Sequence, residues 1–245
     1  MKEIILNSVK LCIITLIAGV LLGTVYEITK EPRKKQEEKS KNEAYAKVFR
    51  DASKFEEIQY DKDGLSKFLE ENGYKKTVAY INEIVSANNE SGETLGYVIT
   101  VTDKEGYGGE IKFTLGIQND GTINGISFLT LAETAGVGMK ADEAKFKNQF
   151  AGMKAEMIEY VKSEKNADNQ IDAISGATVT TNAVTNGVNT GILAFQYISS
   201  KDEANSNDEK NEDKSTDNIK SNNINDSETE ENDNAGEKKG GESDE

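Results

Sequence analysis

Residues 11–26 hold no charged side chain, and the apolar character reaches back through Ile4, Ile5, Leu6 and Val9. Sixteen residues at ~1.5 Å each cover ~24 Å of a ~30 Å hydrocarbon core, and the stretch from Ile4 completes the span once the Lys10 ammonium snorkels to the headgroups. Such a chain is expected to cross a bilayer once and to fold the remainder outside it. A cleaved signal peptide is the competing reading, but Gly23-Thr24-Val25-Tyr26-Glu27 lacks a small-x-small cleavage pattern. Cys12, the only cysteine, opens the apolar run, whereas a lipid-modified cysteine would follow it; it reads as a membrane-facing or helix-packing residue.

Charge divides the rest of the chain. Residues 201–245 hold 16 Asp or Glu against 6 Lys or Arg, most of the chain's formal −15, and their only large apolar residues are Ile219 and Ile224. That tail cannot bury enough surface to offset its ordering entropy and is expected to be disordered. No basic stripe marks a folded segment, so nucleic acid is not an expected partner. With no histidine and one cysteine, Ser-His and Cys-His nucleophile pairs, His-ligated zinc and a Cys-ligated cluster all drop out. Redox chemistry, if any, must come from a bound organic cofactor.

Between anchor and tail the periodicity changes. Residues 34–55, rich in Lys, Glu and Ala with Ala44, Val48 and Phe49 as an apolar stripe, predict a helix leaving the membrane, and residues 63–72 a second. Strands are expected over 78–85, around Tyr97, Ile99 and Val101, around Ile111, Phe113 and Leu115, and over 122–130. Asn119-Asp120-Gly121 joins the last two as a hairpin. Residues 141–150 predict a short helix. Strands in hairpin connection between helices give an α+β fold with an antiparallel sheet.

The run Asp172-Ala173-Ile174-Ser175-Gly176-Ala177-Thr178 enters a stretch where Val179, Ala183, Val184, Gly187, Val188, Gly191, Ile192 and Phe195 repeat at the spacing of one buried helix face. Thr178 therefore stands at a helix N-terminus, where unpaired N–H groups and the macrodipole favour an anionic phosphate and Gly176 permits close backbone approach. Ser175 or Thr178 serving simply as an N-cap would use the same residues. Upstream, Glu133-Thr134-Ala135-Gly136-Val137-Gly138 forms a glycine-rich loop whose Thr134 and backbone N–H groups can hydrogen-bond a ring edge or a phosphate. Tyr107 and Phe128 could stack on a ring system.

These two segments together resemble a known family. Asp172–Thr178 is similar to the D-x-x-S-G-A-T signature, and Glu133–Gly138 to the E-T-P-G-L-G loop, of the FMN-binding domain shared by the G subunit of Rnf ion-translocating oxidoreductases and the C subunit of the sodium-pumping NADH:quinone oxidoreductase. The block from Gly106-Tyr107-Gly108-Gly109 to Asp120-Gly121-Thr122-Ile123 matches in order as well. Composition and the resemblance together divide the chain into a single transmembrane anchor at 1–29, a helical linker region at 30–74, the FMN-binding domain that the resemblance implies at 75–200, and the acidic tail at 201–245. It implies FMN carried through a phosphoester on Thr178, added by a separate flavin transferase, with Ser175, Gly176, Ala177, Glu133, Thr134 and Gly136 as cofactor-binding residues. Ala135 and Val137 replace the usual proline and leucine, which alters loop rigidity and ring packing. The implied role is an electron relay within a membrane complex that couples ferredoxin-to-NAD transfer to ion translocation, with the other Rnf membrane subunits as partners. Lys2 and Lys10 precede the span, whereas Lys30, Arg33, Lys34, Lys35, Lys39 and Lys41 follow it; that count puts the domain in the cytoplasm, while the resemblance puts it outside. The resemblance carries more weight, because long domains translocate with limited regard to charge and Glu31, Glu37 and Glu38 dilute the basic run. The quinone-reductase C subunit, a membrane-anchored scaffold whose tail recruits partners, and a free-standing surface flavoprotein are the alternatives.

Overall fold

The computed structural model describes the backbone of residues 1–220 and the side chains of residues 1–201. Helix α1 runs from Lys2 to Val48. Along its first 28 residues Ser8, Thr15, Thr24 and Thr29 each donate their hydroxyl to the carbonyl four residues back, at 2.7–3.2 Å. Hydroxyls folded back in this way satisfy their own donors within the helix, as a hydrocarbon medium requires. Ile4, Leu16, Leu21 and Leu22 are exposed along it, Cys12 with them, and nothing among the described residues covers them. This is one helix long and apolar enough to anchor the chain in a membrane. The helix expected over 34–55 is the lower part of α1 and ends sooner, since Phe49 leaves helical geometry to join Tyr45 and Val48 in a hydrophobic cluster with Val85, Ala87 and Val98.

After strand β1 (Lys54–Glu57), helix α2 (Lys62–Glu71) is capped by Asp61, whose side chain accepts the N–H groups of Asp63 and Gly64 at 3.1 and 2.9 Å. Leu65 and Leu69 are its buried face. Four longer strands come next: β2 (Ala79–Asn88), β3 (Thr94–Asp103), β4 (Ile111–Gln118) and β5 (Ile123–Leu131). They form one antiparallel sheet in sequence order, β1 pairing as the edge strand. The β4–β5 turn is the expected one: Gly121 takes φ +87° and Asp120 accepts the Thr122 N–H at 2.9 Å.

Beyond β5 come a 3-10 turn (Gly138–Asp142) and a four-residue helix α3 (Ala144–Lys147), in place of the single helix expected over 141–150. Phe146 and Phe150 pack edge to face, their centroids 5.6 Å apart. Two three-residue strands, β6 (Glu159–Val161) and β7 (Gln170–Asp172), pair in parallel and lead into α4 (Thr178–Lys220). Within the unit Met1–Ser200, α4 covers one face of the sheet and the end of α1 the other. Asn189 on α4 grips the Ile158 backbone through its N–H and its carbonyl at 2.8 and 2.9 Å. From Lys201 to Lys220, where composition predicts disorder, the backbone is helical; residues 221–245 of that expected tail lie outside the described residues.

Candidate functional site

Thr178 is the first residue of α4, as its sequence context predicts. The turn before it is stitched by Thr181, whose hydroxyl accepts the Ile174 N–H at 3.0 Å and donates to the Ala177 carbonyl at 2.9 Å. The Ala177 N–H closes the turn on Ile174 at 3.0 Å, and Gly176 sits at φ +79°. Thr181 thus fixes the turn that precedes the helix and leaves the first N–H groups of α4 uncapped by its hydroxyl. Neither the Ser175 nor the Thr178 hydroxyl caps the first turn through a hydrogen bond among the described residues. Thr178 is left half-buried, with its side chain on the wall of a pocket of about 480 Å³.

The opposite wall is the loop after β5. Thr134 accepts the N–H groups of Val137 and Met139 through its carbonyl, at 3.1 and 3.2 Å, which curls the loop over the helix end. Val137 Cγ1 lies 3.9 Å from the point a Gly176 side chain would occupy, so the two glycine-containing turns face each other directly. Glu133, Thr134, Val137 and Gly138 line this side, Gly176, Ala177, Val179 and Thr180 the other, and Tyr107 stands at the mouth. The structure therefore brings Thr178, Gly176, Ala177, Glu133 and Thr134 together. Ser175 is exposed outside the lining, and Gly136, at φ +73°, forms the tip of the loop without lining the pocket. Asp172 is also outside it; it pairs with Lys165 at 3.5 Å on the surface. Phe128 packs against Phe113 in the core, centroids 5.8 Å apart, and does not reach the pocket.

Glu133 is the chemically distinctive group. It is 7% exposed, and Oε1 accepts the Tyr107 N–H at 2.8 Å, while Oε2 is buried with no hydrogen-bond partner among the described residues. A buried carboxylate oxygen left unpaired costs free energy, so this atom calls for a donor from whatever fills the pocket. Gly138 is required beside it, because a Cβ there would fall 2.6 Å from Glu133 Oε2 and 2.8 Å from Thr180 Oγ1. The walls accordingly offer a helix N-terminus for a phosphate, apolar Val137 and Val179 for a ring, and a carboxylate oxygen for a ring N–H or a hydroxyl. Flavin mononucleotide has that combination of groups.

Sequence reasoning has Tyr107 and Gly138 in view but gives Thr180 and Thr181 no role; hydroxyls on a buried helix face carry no periodic signal. Asp103, at the end of β3, is a second buried carboxylate that it passes over. Oδ1 accepts the Glu105 N–H at 2.8 Å and Oδ2 has no partner among the described residues. Burial pushes its carboxyl up to about 6 against the opposing pull of the Glu105 N–H, with the Glu105 charge adding to the rise.

The chain matches the FMN-binding domain family over residues 106–193, the segment that contains every pocket residue. It is 32% identical over 197 residues to the G subunit of the Na⁺-translocating ferredoxin:NAD⁺ oxidoreductase complex of Acetobacterium woodii, covering 80% of this chain and 89% of that one. The G subunit of the proton-translocating ferredoxin:NAD⁺ oxidoreductase complex of Clostridium ljungdahlii is 30% identical over 178 residues, covering 73% and 84%. The crystal structure of the C subunit of the Na⁺-translocating NADH-quinone reductase from Parabacteroides distasonis overlaps 66% of this chain and 92% of that one, with a TM-score of 0.44 and 18% identity, too loosely to carry an argument. With 30–32% identity to such G subunits over 73–80% of its length and an FMN-binding domain match that contains the pocket, the chain belongs to the family of G subunits of ion-translocating oxidoreductase complexes.

Proposed function

We propose that this protein is the electron-carrying flavoprotein subunit of a membrane-bound complex that couples ferredoxin:NAD⁺ electron transfer to ion translocation, with FMN joined by a phosphoester to Thr178. The observation that carries this reading is the Thr178 hydroxyl, which lines the pocket at the start of α4, beyond a turn that Thr181 holds in place. FMN, when bound, supplies reversible one- and two-electron transfer, and the protein's share is to hold and tune it.

Each neighbouring residue then has a task. Oγ1 of Thr178 attacks the flavin-bearing phosphorus of a flavin dinucleotide held by a separate flavin transferase: the new P–O bond forms as the pyrophosphate P–O bond breaks, the nucleoside monophosphate leaves, and the hydroxyl proton passes to the transferase or solvent. The unpaired N–H groups at the head of α4 take the phosphate charge. Gly176 keeps the turn clear of side-chain bulk, and Glu133 Oε2 receives a hydrogen bond from the flavin. Thr134 offers its hydroxyl at the same wall, and the Ser175–Ala177 turn presents Thr178 to the transferase. Residues 1–29 hold the domain, 75–200, to the membrane on its extracytoplasmic side, where the other proteins of the complex receive its electrons.

The test is direct. Protein co-expressed with a flavin transferase and denatured on a gel should give a fluorescent band, and the tryptic peptide containing Thr178 should carry the flavin mass. Thr178→Ala should lose both while folding normally. Retention of fluorescence in Thr178→Ala would show the attachment to be elsewhere.

A further inference from the structure

We infer that the open edge of β2, beside α2, takes a short extended segment of an acidic partner protein as an added strand. This site shares no lining residue with the flavin pocket. Strand β1 covers only half of that edge: its ladder spans Val85 to Asn88, and one further bond, from the Ile58 N–H to the Ile84 carbonyl at 3.1 Å, closes it. There the chain turns off to begin α2, whose cap at Asp61 fixes the departure. Among the described residues, Ala79 to Glu83 is therefore left with β3 on one side and no strand on the other.

The ladder fixes which backbone groups are free. The Lys104 N–H donates to the Val78 carbonyl at 2.8 Å, which makes Ala79 and Asp103 a pair without mutual hydrogen bonds. By the alternation of an antiparallel ladder, Tyr80 turns its N–H and C=O to β3, whereas Ala79 and Ile81 turn theirs outward. The Ala79 N–H is taken by the Lys75 carbonyl at 3.1 Å, but the Ala79 carbonyl and both groups of Ile81 have no backbone partner among the described residues. An outward N–H and C=O on one residue are the two contacts that a residue of an incoming strand makes. The register shift at Asn82 ends the run, so the added strand is short.

A cavity of about 90 Å³ lies on this edge. Tyr80 lines it together with Ala79 and Ile81, and since successive strand side chains point to opposite faces, only the edge is common to all three. Leu65 and Leu69 form the facing wall, so α2 approaches the edge without sealing it. In a chain of formal charge −15, the only charged residues lining this cavity are Lys62 and Lys76. Lys62 Nζ stands 5.8 Å from the centroid of the Tyr60 ring, and Lys104 Nζ 5.0 Å from that of Tyr80. None of these three ammonium groups is in an ion pair among the described residues. The free main-chain groups select an extended backbone, the leucine wall an apolar side chain on one face, and the lysines carboxylates. A bare anion would face the carbonyls of Ala79 and Ile81 with nothing to donate to them, which is why the occupant is a peptide.

The experiment uses the full chain in detergent and the peptide Glu-Val-Glu-Val-Glu with a C-terminal fluorophore, read by fluorescence anisotropy at low salt. The peptide should bind, and its Lys-Val-Lys-Val-Lys counterpart should not. Two N-methylated forms, one methylated on both valines and one on the central and last glutamates, test the strand: alternate residues of an added strand face β2, so one form should lose binding and the other keep it. Lys62→Gln with Lys76→Gln removes two rim charges and should weaken binding roughly tenfold while leaving the thermal midpoint unchanged. No binding of the acidic peptide, equal binding of the basic one, the same effect from both methylation patterns, or undiminished binding to the double variant would each overturn the inference.

Discussion

Two buried carboxylates frame the loop that bears Tyr107, and they differ in what the sequence reveals of them. Glu133 belongs to a glycine-rich motif and is legible from it; Asp103 ends an ordinary strand, and only its complete burial marks it. Its carboxyl holds its proton up to about pH 6 in the folded protein, whereas the unfolded chain releases it near the ordinary value of 3.8. The unfolded state therefore binds fewer protons across that window, so stability falls as pH rises from about 4 to 6 and the full penalty stands above 6. Asp103→Asn removes the charge that burial penalises. It should leave the detergent-solubilised protein little changed at pH 4 and stabilise it by about 1–3 kcal/mol at pH 7.5. Thermal unfolding at the two pH values reads the difference, and an equal effect at both would show that Asp103 is neutral throughout.

Among the elements, α1, α2, α4 and the four long strands are readable: β3, β4 and β5 carry apolar residues at alternate positions, β2 is marked by β-branched and aromatic content with both faces apolar, α2 carries Leu65 and Leu69 at one spacing, and α4 repeats small and apolar residues. Strand β1, with the sequence Lys54-Phe55-Glu56-Glu57, has too few apolar residues to be read as a strand and forms by pairing with Ser86–Asn88 and Val85. Strands β6 and β7 are three residues each and are held by contacts distant in sequence, which no local pattern reports. The small residues of α4 prove to be its seat on the sheet. A Cβ on Gly187 would lie 2.8 Å from two ring carbons of Phe113, and one on Gly191 2.6 Å from Leu115 Cδ2. Gly187→Ala must therefore lift α4 or displace the Phe113 ring, at a cost of about 1–3 kcal/mol even after the gain in helix propensity. Gly23→Ala, on the bare face of α1 with nothing within 4 Å, is the matched control and should cost nothing. Equal thermal midpoints for the two variants would show that α4 has slack against the sheet. Because Thr178 opens this helix, a lifted α4 should also lower flavin loading.

At the scale of the whole molecule, the side of the membrane on which the folded domain stands decides which partners can reach it. Flanking charge argues for the cytoplasm: the basic residues after the span outnumber Lys2 and Lys10 before it. The structure weakens that count, since Lys41 is committed to Glu83, and Arg33 and Lys39 to Glu37 and Glu43 one helical turn on, at 3.2 and 3.9 Å. Burial works against the Glu83 carboxylate, but hydrogen bonds from Lys41 and Tyr45 outweigh it and hold the carboxyl below its usual range, so that ion pair persists at neutral pH. The molecule also provides its own sidedness probe. Cys12 is the only cysteine and lies within the span, shielded from aqueous thiol reagents, so a reporter thiol introduced in the exposed β2–β3 turn by Glu90→Cys has no competing aqueous thiol in the chain. An extracytoplasmic domain predicts that a membrane-impermeant maleimide labels Glu90→Cys fully in intact cells and that opening the cells adds no further label. Labelling that appears only after the cells are opened would place the domain in the cytoplasm and restore the positive-inside count as the deciding term.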